Sequence, residues 1–209
     1  MEFFQYLAPT KVIFGRGTEA RTGALCKEAG ATKVLIHYGG HSAKKSGLID
    51  RICASLQAEG ISYTELGGVV PNPRLSKVYE GIELGRKEKI DFILAVGGGS
   101  VIDSAKSIGY GLTNEGDVWD YYTGKAPQAC MPIGAVLTIA AAGSEMSNAS
   151  IITNENRLVK ARRLFSLRLL QICRYEPGAY LYPARLPNGK RLHGYYCAQP
   201  GTLLYQTGC

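Results

Sequence analysis

Residues 91–108 read DFILAVGGGSVIDSAKSI. An apolar run over 92–96 ends in three consecutive glycines, after which Val101, Ile102, Ala105 and Ile108 recur with the 3, 4 spacing of an amphipathic helix. The spacing predicts a buried strand, a tight turn and a helix. Such a turn aims the unpaired N–H groups of the helix's first residues, with the positive end of its dipole, at whatever lies beyond the strand's carboxyl end. Missing side chains let a ligand come close, and an anion such as a pyrophosphate suits the place. A bare tight turn is the other reading of the same glycines. The stretch is not the G-x-G-x-x-G fingerprint, so that pattern lends it nothing.

Upstream, residues 11–15 read as a strand and Thr18 as the cap of a helix over 19–29 that Gly30 ends. Residues 33–38 (KVLIHY) form a second strand, followed by the turn Gly39-Gly40-His41-Ser42 and a helical pattern at Leu48, Ile49, Ile52 and Leu56. A third strand over 61–66, a proline-stiffened loop at 69–73 and a helix marked by Leu75, Val78, Ile82 and Leu84 lead back to the opening motif. Strand, helix, strand, helix with short links predicts a parallel α/β sheet covered on both faces. Ligands of such sheets bind beyond the carboxyl ends of the strands. Both glycine turns, 39–40 and 97–99, lie at such ends and can face one long ligand. Downstream, residues 132–139 read as another buried strand, and 140–148 (AAAGSEMSN) as a small-residue stretch that lets backbone approach a ligand.

The chain of 209 residues is 45% hydrophobic, ordinary for a globular protein, and holds one full domain plus a remainder. No window approaches the ~20 apolar residues of a membrane span, and the N-terminus lacks a basic region before an apolar one, so the expected location is cytoplasmic, away from membranes. Cysteines 26, 53, 130, 173, 197 and 209 show no C-x-x-C, which points to reduced thiols rather than a zinc site or a disulfide framework. The net charge of +7 belongs to one end. Residues 1–156 carry 15 Lys and Arg against 16 Asp and Glu, whereas residues 157–209 carry 9 against the single acid Glu176. Those last 53 residues also hold seven of the twelve arginines and four of the nine prolines, which is a change of composition rather than of surface. Residues 161–177 could form one basic helix, and from 178 onward no period is sustained.

Four stretches agree in order and spacing with a known pattern: Tyr38-Gly39-Gly40-His41-Ser42 with Lys44-Lys45-Ser46-Gly47; Pro71-Asn72-Pro73; Gly97-Gly98-Gly99-Ser100 with Asp103 and Lys106; and Leu137-Thr138 leading to Gly143-Ser144-Glu145. Together they resemble the iron-containing, metal-dependent alcohol dehydrogenase family, in its butanol dehydrogenase branch, over roughly residues 1–160. The resemblance implies a Rossmann-like dinucleotide-binding domain and hydride exchange between a small alcohol or aldehyde and a nicotinamide dinucleotide. It places Gly97, Gly98, Gly99 and Ser100 on the pyrophosphate, and Gly39, Gly40 and Ser42 by the adenosine ribose. Thr138 and Asn148 fall near the nicotinamide half and Lys160 near a ribose, with Asn72 and Asp103 completing the cofactor set. Asp103 can instead serve the helix dipole from the first turn, and Lys106 can pair with it on the surface. The strand before Gly39 ends without the carboxylate that would repel a 2′-phosphate, and Ser42 with Lys44 or Lys45 could meet one, so the cofactor is NADP or NAD with the lean to NADP.

The departures bear on catalysis. Ala142 stands where the pattern has a threonine before Gly143. The family's helical domain binds a divalent metal, iron or zinc, through one aspartate and three histidines, but here no aspartate follows Asp120 and only His193 follows His41. No catalytic residue can be named and no metal ligand assigned; His37 and His41 read as surface or ribose-side residues. The expected organisation is a dinucleotide-binding domain over 1–160, a basic and poorly ordered tail over 161–209, and the helical metal-binding domain missing. A reading-frame shift just after Lys160 would account for both the altered composition and the end of the pattern. The expected outcome is a truncated, inactive dehydrogenase. A nucleotide-binding module without catalysis is the alternative, and nucleic acid binding by Arg162, Arg163, Arg168 and Arg174 with Phe165 and Tyr175 is the least favoured. Assembly as a homo-oligomer is compatible with all three.

Overall fold

The computed structural model describes residues 10–139, 141 and 143–164 and the backbone of 170–175, all within one compact unit, Met1–Ala179. The strands are β1 (Lys11–Phe14), β2 (Lys33–Tyr38), β3 (Ser62–Leu66), β4 (Phe92–Gly97), β5 (Ile133–Leu137), β6 (Ala149–Asn154), β7 (Val159–Leu164) and β8 (Leu170–Tyr175). Between them run α1 (Thr22–Glu28), α2 (His41–Lys45), α3 (Leu48–Ala58), α4 (Leu75–Glu88), α5 (Gly99–Thr113) and the single turn α6 (Asp120–Thr123). Six strands lie parallel in the order β1-β8-β5-β4-β2-β3, while β6 and β7 form a separate antiparallel hairpin.

Strands β4 and β5 are buried at every position. That is why they read as unbroken apolar runs: a parallel sheet covered on both faces has no wet side toward which to alternate. On one face Val34, Ile36, Phe92, Leu94 and Val96 pack against Leu25 of α1 and the Leu48, Ile52 and Leu56 stripe of α3. Ile49, Ile52 and Leu56 are at most 1% exposed, so each contributes about 1.5–3 kcal/mol of burial. Helices α4 and α5 cover the other face and meet through glycines. A Cβ on Gly81 would stand 2.3 Å from Ile108 Cδ1, and one on Gly111 2.2 Å from Ile82 Cδ1, so neither position accepts a side chain without repacking. At the amino end of the sheet the Asp91 carboxylate accepts hydrogen bonds from the backbone of Thr32 (3.0 Å) and Lys33 (2.9 Å) and from the Thr32 hydroxyl, fixing the start of β2 beside that of β4.

The elements expected between residues 33 and 113 are observed to within two residues at their starts, with α4 running on to Glu88. Three expectations are corrected. Thr18 does not cap a helix: it opens a 3-10 turn over Thr18–Arg21, and its hydroxyl donates back to Gly15 O at 3.0 Å. Among the described residues no helix follows Lys160. Residue 160 lies inside β7, which pairs with β6 through Leu164, and β8 enters the sheet between β1 and β5. β7 is the return strand of a hairpin with β6, and β8 is completed by β1 and β5, partners distant in sequence that local periodicity cannot register. His37 is not a surface residue. It is fully buried on β2, its Nδ1 3.0 Å from Leu66 O and its Nε2 2.9 Å from the Ser104 hydroxyl of α5. His41 is exposed at the start of α2. Ala142, residues 1–9 and the tail beyond 175, His193 included, lie outside the described residues.

Burial lowers the His37 pKa from 6.5 to about 4, against the raising effect of the Leu66 carbonyl. The folded state therefore prefers the neutral imidazole, and the stability this gives is present above pH 6.5 and lost as pH falls through 6.5 towards 4. At pH 4 the loss from this residue is about 3 kcal/mol. Denaturant melts of the wild type and His37→Gln should show it: the wild type loses this increment between pH 7 and 4, and the variant, lower at pH 7, does not. Equal acid losses in both would dismiss His37 as the cause.

Candidate functional site

From β2 the chain passes to β3 on one side, and from β4 to β5 on the other, so the winding reverses between β2 and β4. The crevice beyond the carboxyl ends of such a pair is where open α/β sheets hold ligands. Tyr38 and Val96 are register partners, and the turns that follow them, Gly39-Gly40 and Gly97-Gly98-Gly99, leave the sheet side by side. Gly98 precedes α5 in extended backbone (φ −91°), and its carbonyl accepts the Val101 and Ile102 N–H groups at 3.0 and 3.2 Å. A Cβ on Gly97 would lie 2.6 Å from Val101 Cγ2, so packing alone demands that glycine. The others differ. A Cβ on Gly40 would meet nothing within 4 Å, and one on Gly39 only ordinary contacts, the nearest Val69 O at 3.5 Å. One on Gly98 would press on the end of the exposed Ile139 side chain at 2.7 Å. Thr138, just past β5, donates its N–H to Gly97 O at 3.1 Å and so borders the same turn.

Other candidates gather in pairs. Asn72, in left-handed backbone (φ 57°), accepts a hydrogen bond from Lys160 Nζ at 2.6 Å, joining residues 88 positions apart. The hairpin is fixed to the same loop by Thr153 N–H on Pro73 O at 2.8 Å. Ser100, half-buried, sits in the first turn of α5. Ser42 is exposed on α2, and Asn148 is exposed just before β6.

Asp103 lies past the first turn of α5 and is buried, so it does not serve the helix terminus. Its Oδ2 accepts the Ile151 N–H at 3.2 Å, while Oδ1 has no partner of hydrogen-bonding geometry among the described residues. Burial raises its pKa more than nearby Lys106 and Ser144 lower it. Nor do Asp103 and Lys106 form the expected surface pair. Lys106 is fully buried and its ammonium donates to three carbonyls, those of Ser144, Ser147 and Ala149, at 2.7, 2.7 and 2.8 Å. Beneath it the Tyr122, Ser107 and Ser150 hydroxyls form a closed triangle with edges of 2.6–3.1 Å. Tyr122 is held neutral there by burial.

Sequence reasoning missed a cluster at the end of β2. Tyr38 donates its hydroxyl to Glu65 Oε2 at 2.9 Å, Lys44 Nζ lies 3.1 Å from the same oxygen, and the ammonium sits 5.2 Å from the Tyr38 ring centroid. Contacts with Tyr38 and then Glu65 keep Lys44 firmly protonated. Its charge is thus engaged within the protein. The available signal was the alternation of β3, which sets Glu65 beside β2 once β2 and β3 pair.

The description "Iron-containing alcohol dehydrogenase" is that of the family model matching residues 9–170. The chain is 49% identical over 155 residues to the probable NADH-dependent butanol dehydrogenase 1 of Bacillus subtilis (strain 168), covering 74% of this chain and 40% of that protein. It is 35% identical over 159 residues to the NADPH-dependent aldehyde reductase YqhD of Escherichia coli (strain K12), again 74% of this chain and 40% of that one. Among solved structures it is similar to the NADH-dependent butanol dehydrogenase A of Thermotoga maritima, with TM-score 0.83, 44% identity and coverage of 86% of this chain and 45% of that chain. The sulfoacetaldehyde reductase of Bifidobacterium kashiwanohense in complex with NAD+ gives TM-score 0.79 and 26% identity over 86% of this chain and 47% of that chain. The chain spans about two fifths of the length of the curated relatives it matches.

The Tyr38 cluster rests on Gly67, where a Cβ would stand 2.5 Å from Tyr38 Cε2 and 2.7 Å from Cζ. Gly67→Ala should displace the ring from Glu65 and lower stability by about 1–3 kcal/mol, visible in a denaturant melt. An unchanged midpoint would show that the ring yields freely.

Proposed function

The chain belongs to the iron-containing alcohol dehydrogenase family, and from that premise we propose that it is the dinucleotide-binding portion of an NAD(P)-dependent alcohol–aldehyde oxidoreductase, able to bind cofactor and not to catalyse alone. What carries the reading is the pair of glycine turns at the β2–β4 switch point. Gly39 and Gly40 keep side chains out of space that packing does not require them to clear, and at Gly98 a Cβ would displace only the exposed Ile139 side chain. A pyrophosphate over Gly97, Gly98, Gly99 and Ser100 would meet the N-terminus of a 15-residue helix, where backbone N–H groups and the dipole favour an anion. Gly39, Gly40 and Ser42 would take the adenosine ribose; Thr138 and Asn148 the nicotinamide half; Asn72 and Lys160, already bonded to each other, a ribose.

When bound, the dinucleotide supplies the hydride acceptor or donor. The chain's own residues bind and orient it. NADP and NAD are both accommodated, since no carboxylate ends β2, although Lys44 is occupied by Glu65 and leaves Ser42 and Lys45 to meet a 2′-phosphate. A divalent metal does not fit these residues. No group of three or more His, Cys, Asp or Glu is placed to hold one among the described residues, and the sequence offers no aspartate beyond Asp120 and one histidine beyond His41. No step is therefore routed through a metal. Small alcohols or aldehydes are the substrate class, and the substrate-activating part belongs to what the relatives have beyond the matched residues.

NADH and NADPH are expected to raise the melting temperature of the 209-residue chain, while butanal reduction with added divalent metal stays at background. Gly98→Val is the sharper test. Its backbone suits any residue and its Cβ meets only Cγ2 of Ile139, an exposed residue that can give way towards solvent, so the fold should survive with a loss of ~1 kcal/mol while the cofactor shift disappears. An unchanged shift in the variant would show that the glycines only make a turn, and metal-dependent turnover by the pure chain would overturn the claim of inactivity. The change of composition over residues 157–209 supports reading the chain beyond Lys160 as out of frame with the family pattern. Resequencing the coding DNA should recover, on restoring one or two bases, a long frame with an aspartate and three histidines; finding none sinks that reading.

A further inference from the structure

Three elements meet at the carboxyl end of β2. Tyr38 closes that strand and donates its hydroxyl to Glu65 Oε2 of β3 at 2.9 Å, and Lys44 Nζ of α2 lies 3.1 Å from the same oxygen. Beyond β3 the chain runs on beside the glycine turn: Gly68 N–H donates to Gly39 O at 2.8 Å and Val69 N–H to Tyr38 O at 3.3 Å. The cluster therefore adjoins the Gly39-Gly40 turn, through residue 38 on one side and through these backbone bonds on the other. Its two charges are held unequally. The Tyr38 ring is buried and seated on Gly67, which fixes the hydroxyl that binds Glu65. The Lys44 side chain is 56% exposed against 33% for Glu65, and its flexible four-carbon stem lets the ammonium change partner without moving α2. The carboxylate is the anchored member of the pair and the lysine the mobile one.

The position of the pair gives it a meaning. In an open α/β sheet with a pyrophosphate turn on one strand, the neighbouring strand ends by the adenosine ribose, where a carboxylate takes the 2′-hydroxyl or a cation takes a 2′-phosphate. Here β4 carries the triple-glycine turn and β2 pairs with it, yet β2 ends in neither charge. The neighbouring strand β3 supplies the carboxylate, α2 supplies the cation, and the two hold each other.

We propose that Glu65 is a specificity-determining residue for the cofactor: as the counter-ion of Lys44 beside the Gly39-Gly40 turn, it competes with the 2′-phosphate of NADP(H) for the lysine and shifts the chain's preference towards NAD(H). The inference rests on the dinucleotide reading above. A 2′-phosphate draws Lys44 only by parting it from Glu65, and it then meets an uncompensated carboxylate. NAD(H) carries no charge at that position and leaves the pair intact. Exposed charges act over about 10 Å at 0.1 M ionic strength, so the sign of the effect does not require Lys44 to touch the phosphate. Lys45, exposed on the same short helix, is the cation that remains while Lys44 is held.

The test is the ratio of NADPH to NADH affinity, measured by calorimetry on the 209-residue chain and on two variants. Glu65→Gln keeps an acceptor for Tyr38 and removes the charge, so it should favour NADPH over NADH roughly threefold to tenfold more than the wild type does. Lys44→Met leaves the carboxylate alone and should move the ratio by a similar factor the other way. Both shifts should shrink at high salt. A merely structural pair would weaken both cofactors alike and leave their ratio unchanged. Should Glu65→Gln fail to fold, Lys44→Met, at an exposed position, decides by the same ratio. NADH binding with the ratio unmoved, or moved in one direction by both variants, overturns the proposal and leaves the dinucleotide reading standing. Binding of neither cofactor by the wild type overturns both.

Discussion

Helix α5 is buried from Val101 to Gly111 without a break, and that burial is the constraint on which the carboxyl end of the sheet depends. A helix with no wet face has no freedom to roll, because every side chain already has an assigned partner. Gly111 admits Ile82 of α4, Ser104 meets His37 of β2, Lys106 takes the segment before β6, and Ser107 joins Tyr122 and Ser150. Ser104, Lys106 and Ser107 tie the helix to β2, to the start of β6 and to α6. The helix N-terminus at Gly98 is thereby set over the β2–β4 crevice with the precision of a core, not of a loop. Asp91 provides the matching constraint at the opposite end of the same two strands.

This division explains what the sequence disclosed. Strands β2, β4 and β5 and helices α3 to α5 are legible because their apolar residues have a period or a run that only burial on both faces rewards. The glycine turns are legible because three glycines in a row have no other local purpose. Lys106 and His37 were not, and for one reason: a lysine and a histidine count as polar in any pattern, so the same letters describe a solvated face and a fully bonded interior. Only the carbonyls of Ser144, Ser147 and Ala149, some forty residues away, distinguish the two cases. Strands β7 and β8 were missed because what makes Val159–Leu164 and Leu170–Tyr175 extended is the strands they pair with, β6 for the first and β1 and β5 for the second, not their own composition.

The candidate residues divide along the same line. Glycines 39, 40, 97, 98 and 99 with Ser100 and Thr138 cluster at three adjacent strand ends, those of β2, β4 and β5, whereas Asn72 and Lys160 are brought together by the hairpin crossing to the loop at 71–73. Glu65 and Lys44 neutralise each other beside the first turn. Exposed pairs of this kind add little stability, but they decide which charge a ligand meets on approaching, and here a lysine that looks available in sequence arrives already matched.

The order of strands has a consequence for how the chain comes to be folded. Strand β1 begins at Lys11, yet its only neighbour among the described residues is β8, where Lys11 stands opposite Ile172. The pairing closes a loop of nearly the whole described chain, which is among the slowest kinds of contact to form. As the polypeptide leaves the ribosome, β2, β3 and β4 can assemble with their helices while β1 waits without a partner. The earliest of the described strands is the last to be placed, and until residues 170–175 emerge, β5 presents an open edge to whatever other extended chain is near.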